Sequence, residues 1–374
     1  MASDVERRRR ERRLREEMER EGYDALLLIG RDGMWSRGYI RYLTDFHLWG
    51  GTAYLVFPLH AEPILLLGSN SMAHWARKAG WVQDVRVATS GLVEAVARSV
   101  RERKVDGRLG VCGLHRLMSY GDAQALAAEL PGVILTDATE VIERVRVIKS
   151  DEEIAGLAET CRIAAEAMGR FRDVLAPGRT EREVVAEAWK VLRERGVVDG
   201  IAHITTEDPP FIRPPSDRRL EREDVVKFSM EVTGPSGYCE ELAAVFSFQE
   251  PPEEQRRMFD TTVKAVRLAR TMLRPGVRAA EVVAAVEAAF RQDGWDPLHR
   301  VIWDAHGIGL DVIEPPLLTG DSQATLQAGM AISLHPGLTY GARRLGFYLQ
   351  DNHIVSEGGA VPMAGWPDVW TVVG

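Results

Sequence analysis

RDVLAPGRTEREVVAEAWKVLRERG, residues 172–196, has a counterpart in RTMLRPGVRAAEVVAAVEAAFRQDG, residues 270–294. The two stretches align without a gap at an offset of 98 and share 10 of 25 residues, among them Pro177/Pro275, Gly178/Gly276, Glu183/Glu281 and Gly196/Gly294. Each reads as a helix end, a Pro-Gly turn and a second helix closed by glycine. A strand-rich stretch follows each copy. One unit used twice predicts a domain of two related halves, with the crevice between them as the natural ligand site.

The repeat also places chemistry. FSMEVTG at 228–234 matches ISLHPGL at 332–338 at an offset of 104, which sets Glu231 opposite His335. In extended structure alternate side chains share a face, so Glu231 goes with Ser229 and His335 with Ser333. Between the second copy and that strand lies DAHGIGLDVIEPP, residues 304–316. Glycines beside His306 let backbone come close to it, which suits a crowded polar site, and Glu314-Pro315-Pro316 fixes the loop that leaves it.

Upstream of the repeat the pattern differs. DALLLIG, GTAYLVFPL, EPILLLG, DVRVA and RLGVCGL are strand-sized apolar runs, separated by amphipathic segments near 70–79, 92–103 and 119–129. Such alternation predicts an α/β layer domain. Ser150 with Glu153 forms a capping box ahead of a long helix and marks the start of the second domain. The divided chain therefore reads as 1–147 and 148–374. VERRRRERRLREEMEREG near the N-terminus has Glu and Arg at helical spacings and reads as a solvated helix.

The 374 residues suffice for about two domains. With 47 Lys plus Arg against 55 Asp plus Glu, the net charge of −8 argues against a broad nucleic-acid surface. Cys112, Cys161 and Cys239 are widely spaced and form neither a metal nor a redox motif, which fits a reducing cytoplasm. No apolar run approaches the roughly 20 residues of a membrane span.

YIRYLTDF (39–46), ERVRVIKSDEEI (143–154), GYCEELAAVF (237–246), AHGIGLDVIEPP (305–316), LQAGMAISLHPGL (326–338) and GFYLQDNHIVSEGG (346–359) together resemble the pita-bread superfamily of creatinase, prolidase, aminopeptidase P and methionine aminopeptidase. The resemblance implies an N-terminal creatinase/prolidase-like α/β domain, a pseudo-two-fold pita-bread domain, a homodimer and a small-molecule or short-peptide substrate. Peptidases of this group hold two divalent cations with two aspartates, one histidine and two glutamates. Here only the histidine is retained, as His306. The second aspartate position holds Glu241, and the two glutamate positions hold His335 and Gln350. The first aspartate position falls on Met230 counting back from Glu241, on Ser229 counting forward from Asp224, and on Glu231 by the internal repeat. A one-residue bulge in the strand would reconcile these counts in favour of Glu231. Other positions occupied by supporting residues in those relatives are Ile212, Ile313, Ala243 and Ala244, and creatine is not a supported substrate.

Two dications about 3.5 Å apart repel by roughly 19 kcal/mol at an effective dielectric of about 20, so a dinuclear centre needs several carboxylates. Glu231 and Glu241 are too few. One divalent ion (Zn, Fe or Mn) on Glu241, His306, His335 and the Gln350 carbonyl, with Glu231 as general base, is the expected arrangement. A metal-free acid/base hydrolase or lyase using the same histidines and glutamates is the close alternative, and a non-catalytic binding module the third. His203 and Tyr238 are candidate substrate contacts, weighed against a structural strand histidine and a packed tyrosine. Trp49, like Trp35 and Trp303, is a candidate pocket wall, weighed against core burial. Asp351 should face away from Gln350 and support the strand.

Overall fold

A computed structural model of the chain describes residues 2–88, 91–105, 107–206, 213–295, 305–340 and 345–374. Ile212 and Trp303 lie outside the described residues. The chain divides into two compact units, Met1–Arg146 and Val147–Gly374.

The first unit alternates α1 (Asp4–Glu21), β1 (Ala25–Arg31), α2 (Gly38–Thr44), β2 (Thr52–Pro58), β3 (Ile64–Leu67), α3 (Asn70–Ala79), β4 (Asp84–Val87), α4 (Leu92–Glu102), β5 (Arg108–Cys112), α5 (Tyr120–Glu129), β6 (Ile134–Asp137) and α6 (Thr139–Arg146). The strands form one sheet in the order β4-β3-β2-β1-β5-β6. β2 runs against both of its neighbours, and the other pairings are parallel. The apolar runs of β1, β2 and β3 are buried almost throughout, as expected of strands covered on both faces. One expectation fails here. α1 is not solvated all round, because Glu6, Arg10, Leu14 and Met18 recur every four residues and form a buried stripe. Glu6 and Arg10 tolerate that burial because they pair at 2.7 Å, while Arg10 also donates to the Tyr42 carbonyl and lies over its ring.

In the second unit the duplicated stretch becomes a duplicated structure. α7 (Asp151–Val174) and α8 (Glu181–Glu194) precede β7 (Asp199–Thr205), β8 (Val225–Thr233) and β9 (Cys239–Ser247). α9 (Glu253–Met272) and α10 (Ala279–Gln292) precede β10 (Ala305–Gly307), β11 (Glu314–Leu318), β12 (Ala331–Leu334), β13 (Gly337–Tyr340), β14 (Leu345–Tyr348), β15 (Asp351–Ile354), β16 (Val361–Pro362) and β17 (Thr371–Val372). The paired glycines repeat each other's backbone. φ is 87° at Gly178 and 86° at Gly276, then 84° at Gly196 and 83° at Gly294. These left-handed values explain why glycine recurs at both pairs. The turn amides repeat as well, Gly178 donating to the Leu220 carbonyl at 2.7 Å and Gly276 to the Leu326 carbonyl at 2.9 Å. Ser150 and Glu153 form the capping box that starts α7.

Two sheets result, β17-β9-β8-β7 and β11-β10-β12-β15-β16, with β13 and β14 as a separate ribbon. An isolated bridge joins the sheets, the Ala243 amide donating to the Gln350 carbonyl at 3.1 Å. α7 and α8 cover one face of the first sheet, burying Ala202, Ile204, Phe228, Met230, Leu242 and Phe246 with Phe171 of α7. The Phe171 and Phe228 rings stack with centroids 3.8 Å apart. α9 and α10 do the same for Ala305, Ile332, Leu334, Phe347 and Leu349. Burying a Leu or Phe of this kind contributes ~1.5–3 kcal/mol, which ties the parity of each strand to its core. Strand alternation then leaves Ser229, Glu231 and Glu241 on the other face of the first sheet, and His306 and Ser333 on the other face of the second.

Candidate active site

The ladders of β8 settle which residues of that strand reach the crevice. β8 pairs without interruption with β7 and β9, placing Glu231 opposite Glu241, Met230 opposite Leu242 and Ser229 opposite Ala243. The expected bulge in β8 is absent. None is needed, because Met230 is fully buried in the core under α7 and α8 while Ser229 and Glu231 share the inner face. A register irregularity does occur in the other half, between His306 and Gly307, where β10 meets β11 opposite Leu317 and Glu314.

Glu241 is the hub. Its Oε2 accepts from the Ser333 hydroxyl, from Gln350 Nε2 at 2.9 Å, and lies 3.4 Å from His306 Nε2. His306 Nδ1 faces the Gly307 carbonyl at 3.0 Å. A carbonyl only accepts, so this contact places a proton on Nδ1 and turns the Nε2 lone pair toward Glu241. The His306 and His335 rings lie 4.9 Å apart. His335 is buried, and its Nε2 has no hydrogen-bond partner among the described residues. Ligand atoms of Glu241, His306 and His335 all fall within 4.8 Å of one another.

Burial sets the protonation of this cluster. It pushes His335 down to about 3, with His306 adding to the effect, and it also lowers His306 despite the Gly307 carbonyl and Glu231. Both imidazoles are therefore neutral. Burial pushes Glu231 upward, and the neighbouring Glu241 carboxylate adds to it. Glu241 is likewise raised by burial, with the Ser333 and Gln350 hydrogen bonds pulling it back. Two carboxyls facing each other across a ladder, beside two neutral imidazoles, form a site short of positive charge.

The donor set fits one divalent cation. Two neutral imidazoles and a carboxylate suit such an ion, and the orphaned His335 Nε2 is a buried ring nitrogen that an ion would satisfy. Against the four positive charges of two ions, the crevice offers Glu231 and Glu241 among the described residues. Gln350 sits at the site in a different posture from that expected: its nitrogen is on Glu241 and its carbonyl oxygen accepts from Ser229 at 3.4 Å. It orients the carboxylate.

The other candidates are dispersed. His203 lies opposite Ser229 on β7, half-buried, on the face that carries Glu231. Tyr238 is buried elsewhere: its hydroxyl donates to Glu153 Oε1 at 3.1 Å and its ring lies against Gly156 of α7, so it holds the helix instead of a substrate. Trp49 belongs to the first unit, where it is 49% exposed and meets Phe46 edge-on, so it is not a core residue. Asp351 is buried and accepts from the Ala364 amide at 3.0 Å. Two features were not anticipated. Tyr348 stands beside Ser229 near Glu231 and Glu241, where burial pushes its phenol well up, so that it keeps its proton. Lys149 and Glu314 form a buried ion pair at 2.6 Å beneath the loop after His306. The alternation of GFYLQ, with Tyr348 two residues before Gln350, carried the signal for the first; nothing local carried the second.

Residues 155–360 match the metallopeptidase family M24, and residues 10–148 match the creatinase/prolidase N-terminal domain. The chain belongs to metallopeptidase family M24, and its second unit is the pita-bread fold of that family. It is 31% identical over 252 residues to proteins named probable dipeptidase PepE from Mycobacterium bovis and Mycobacterium tuberculosis, a match covering 66% of each chain. The matched segment thus spans about two thirds of those relatives. An Xaa-Pro dipeptidase from Pyrococcus furiosus is 26% identical over 227 residues, 59% of this chain and 64% of that protein. Among solved structures, dipeptidase PepE from Mycobacterium ulcerans superposes over 100% of both chains with a TM-score of 0.83 at 26% identity. Xaa-Pro dipeptidase from Bacillus anthracis gives 0.83 over 98% of this chain and 99% of that one; at 22% identity this likeness bears on the fold. No described helix is long and apolar enough to cross a membrane.

Proposed function

We propose that the chain hydrolyses the peptide bond of a dipeptide-sized substrate in the crevice between its two halves, with one divalent cation (Zn, Fe or Mn) held by Glu241, His306 and His335. The observation that carries this reading is the convergence of one ligand atom each from Glu241, His306 and His335 within 4.8 Å, together with a buried His335 Nε2 that has no hydrogen-bond partner among the described residues. The dipeptidase names of the relatives support the substrate class. A bound divalent cation supplies Lewis acidity to the scissile carbonyl and the attacking water. The rest falls to side chains. Ser333 and Gln350 hold Glu241 in one orientation, and the Gly307 carbonyl fixes the His306 tautomer. Glu231, facing Glu241 and without a side-chain hydrogen bond among the described residues, takes a proton from water as its oxygen adds to the carbonyl carbon. It then delivers that proton to the amine as the carbon–nitrogen bond breaks.

One contact favours a second reading. Glu241 lies 3.4 Å from His306 Nε2, close enough for the pair to move a proton with no ion between them. Elemental analysis of protein purified without added metal, coupled to a panel of dipeptides including Xaa-Pro, separates the two. The first reading expects close to one metal per chain, turnover abolished by chelator and restored by that metal, and loss of both metal and turnover in His335→Ala. Two metals per chain would overturn the charge argument, and chelator-resistant turnover in metal-free protein would select the second reading.

A further inference from the structure

Hydrolysis needs a hydrogen-bond donor where the carbonyl oxygen becomes negative, and most donors of this crevice are already committed. The Ser333 hydroxyl and the Gln350 nitrogen both point at Glu241 Oε2. The Ser229 hydroxyl points at Gln350 Oε1. Tyr348 differs. Its phenolic oxygen is buried and, among the described residues, forms no hydrogen bond of full geometry, although the Ser229 hydroxyl stands close enough to interact with it.

Its orientation follows from strand parity. Phe347 and Leu349 point into the core under α9 and α10, and the Phe347 ring meets Phe259 and Trp370. Tyr348 and Gln350 therefore share the opposite face, and Gln350 already reaches Glu241. Tyr348 also pairs with Gly337, two residues beyond His335, so no side chain stands directly across the ladder from it. A buried hydroxyl without a partner costs ~1–3 kcal/mol, a cost that a ligand oxygen accepting from it would remove.

We propose that the Tyr348 hydroxyl is a catalytic residue that donates to the carbonyl oxygen of the scissile bond and binds it most strongly in the tetrahedral state. This rests on the hydrolytic reading above. Water oxygen bonds to the carbonyl carbon, the carbonyl electron pair moves onto the oxygen facing Tyr348, and that pair returns as the amine leaves with the proton carried by Glu231. The phenol keeps its own proton throughout.

Tyr348→Phe retains the ring and removes the donor. The test measures kcat and KM on whichever dipeptide the wild type cleaves fastest. Beside these it measures metal content, melting temperature, and calorimetric affinity for a phosphinic dipeptide isostere and for the product amino acids. The expected result is a ~10²-fold fall in kcat and a similar loss of phosphinate affinity. KM and product affinity should stay within threefold, and metal content and melting temperature should not change. A kcat within threefold of wild type, equal losses for phosphinate and products, or loss of metal would each overturn the proposal. A wild type that cleaves no dipeptide yet binds the phosphinate in a Tyr348-dependent way would sink the hydrolytic assignment and leave the donor role standing.

Discussion

Replacing Lys149 with Met tests how the loop behind His306 is held. The Lys149 ammonium and the Glu314 carboxylate are 3% and 4% exposed and lie 2.6 Å apart. The second Glu314 oxygen accepts from the Asp311 amide at 3.2 Å, and a Cβ on Gly309 would meet this carboxylate at 2.5 Å. Lys149 is itself anchored, its amide donating to the Gly329 carbonyl at 2.9 Å. Met fills the space of the lysine stem but leaves the buried Glu314 carboxylate without its ammonium, a change that costs ~3–5 kcal/mol. For a unit of this size ~1 kcal/mol corresponds to ~2–4 °C, so the melting temperature should fall by roughly 6–20 °C. Urea unfolding of the wild type, Lys149→Met, Glu314→Gln and the double variant closes a cycle. The double variant should be less destabilised than the sum of the singles by at least ~1.5 kcal/mol. A single-variant cost below ~1 kcal/mol, or strict additivity, would refute the idea that this pair anchors the loop.

Two further outcomes follow from the register and from the first unit. Glu231→Gln should fold with a melting temperature within about 1 °C of wild type and lose ~10²–10⁴-fold in turnover, whereas Met230→Ala should cost ~2–5 kcal/mol and keep its metal content; the reverse pattern in paired denaturation and kinetic assays would mean that β8 is read one residue out of phase. Burial alone would raise Glu6, yet hydrogen bonds and attraction from Arg9 and Arg10 lower it from 4.5 to about 2. A folded-state value below the unfolded one gives stability that is present above about pH 4.5 and lost as pH falls toward about 2. The difference in melting temperature between wild type and Glu6→Gln should accordingly shrink across that window, and a difference constant from pH 6 to 2.5 would show that the pairing does not act on folding.

What the sequence makes legible here is what repeats or alternates. The Pro-Gly pairs mark two equivalent turns because a left-handed φ admits glycine at little cost, and the same constraint acts twice at 178 and 276. Aligning the copies brings Glu231 and His335 to matching positions before any coordinate is known. The position of the ladder irregularity was not legible. Counting along β8 treats spacing as if it measured direction, but Met230 is held in the core by α7 and α8, and long-range packing fixes which neighbours turn inward. α1 misled for a related reason. Its charges look solvated until Glu6 and Arg10 are seen to neutralise each other within a buried stripe.

The glycines around His306 show the same division between local and distant causes. Local reasoning says that glycine permits close approach, and it stops there. In the folded chain a Cβ on Gly307 would run into the Pro315 carbonyl oxygen, and one on Gly309 into the Glu314 carboxylate. Gly307 thus lets β11 close against the residue that follows His306, while Gly309 makes room for the acid that Lys149 holds. His306 is oriented by a carbonyl on its own strand, but the loop that follows that strand is held at Glu314 by a lysine 165 residues before that glutamate, on the segment that leads into the first copy of the repeat. The crevice is therefore held from both halves. Substitution among the proposed ligand positions should leave the frame intact, because the frame depends on glycines, core parity and a buried ion pair, and the proposed ligands depend on none of those for their identity.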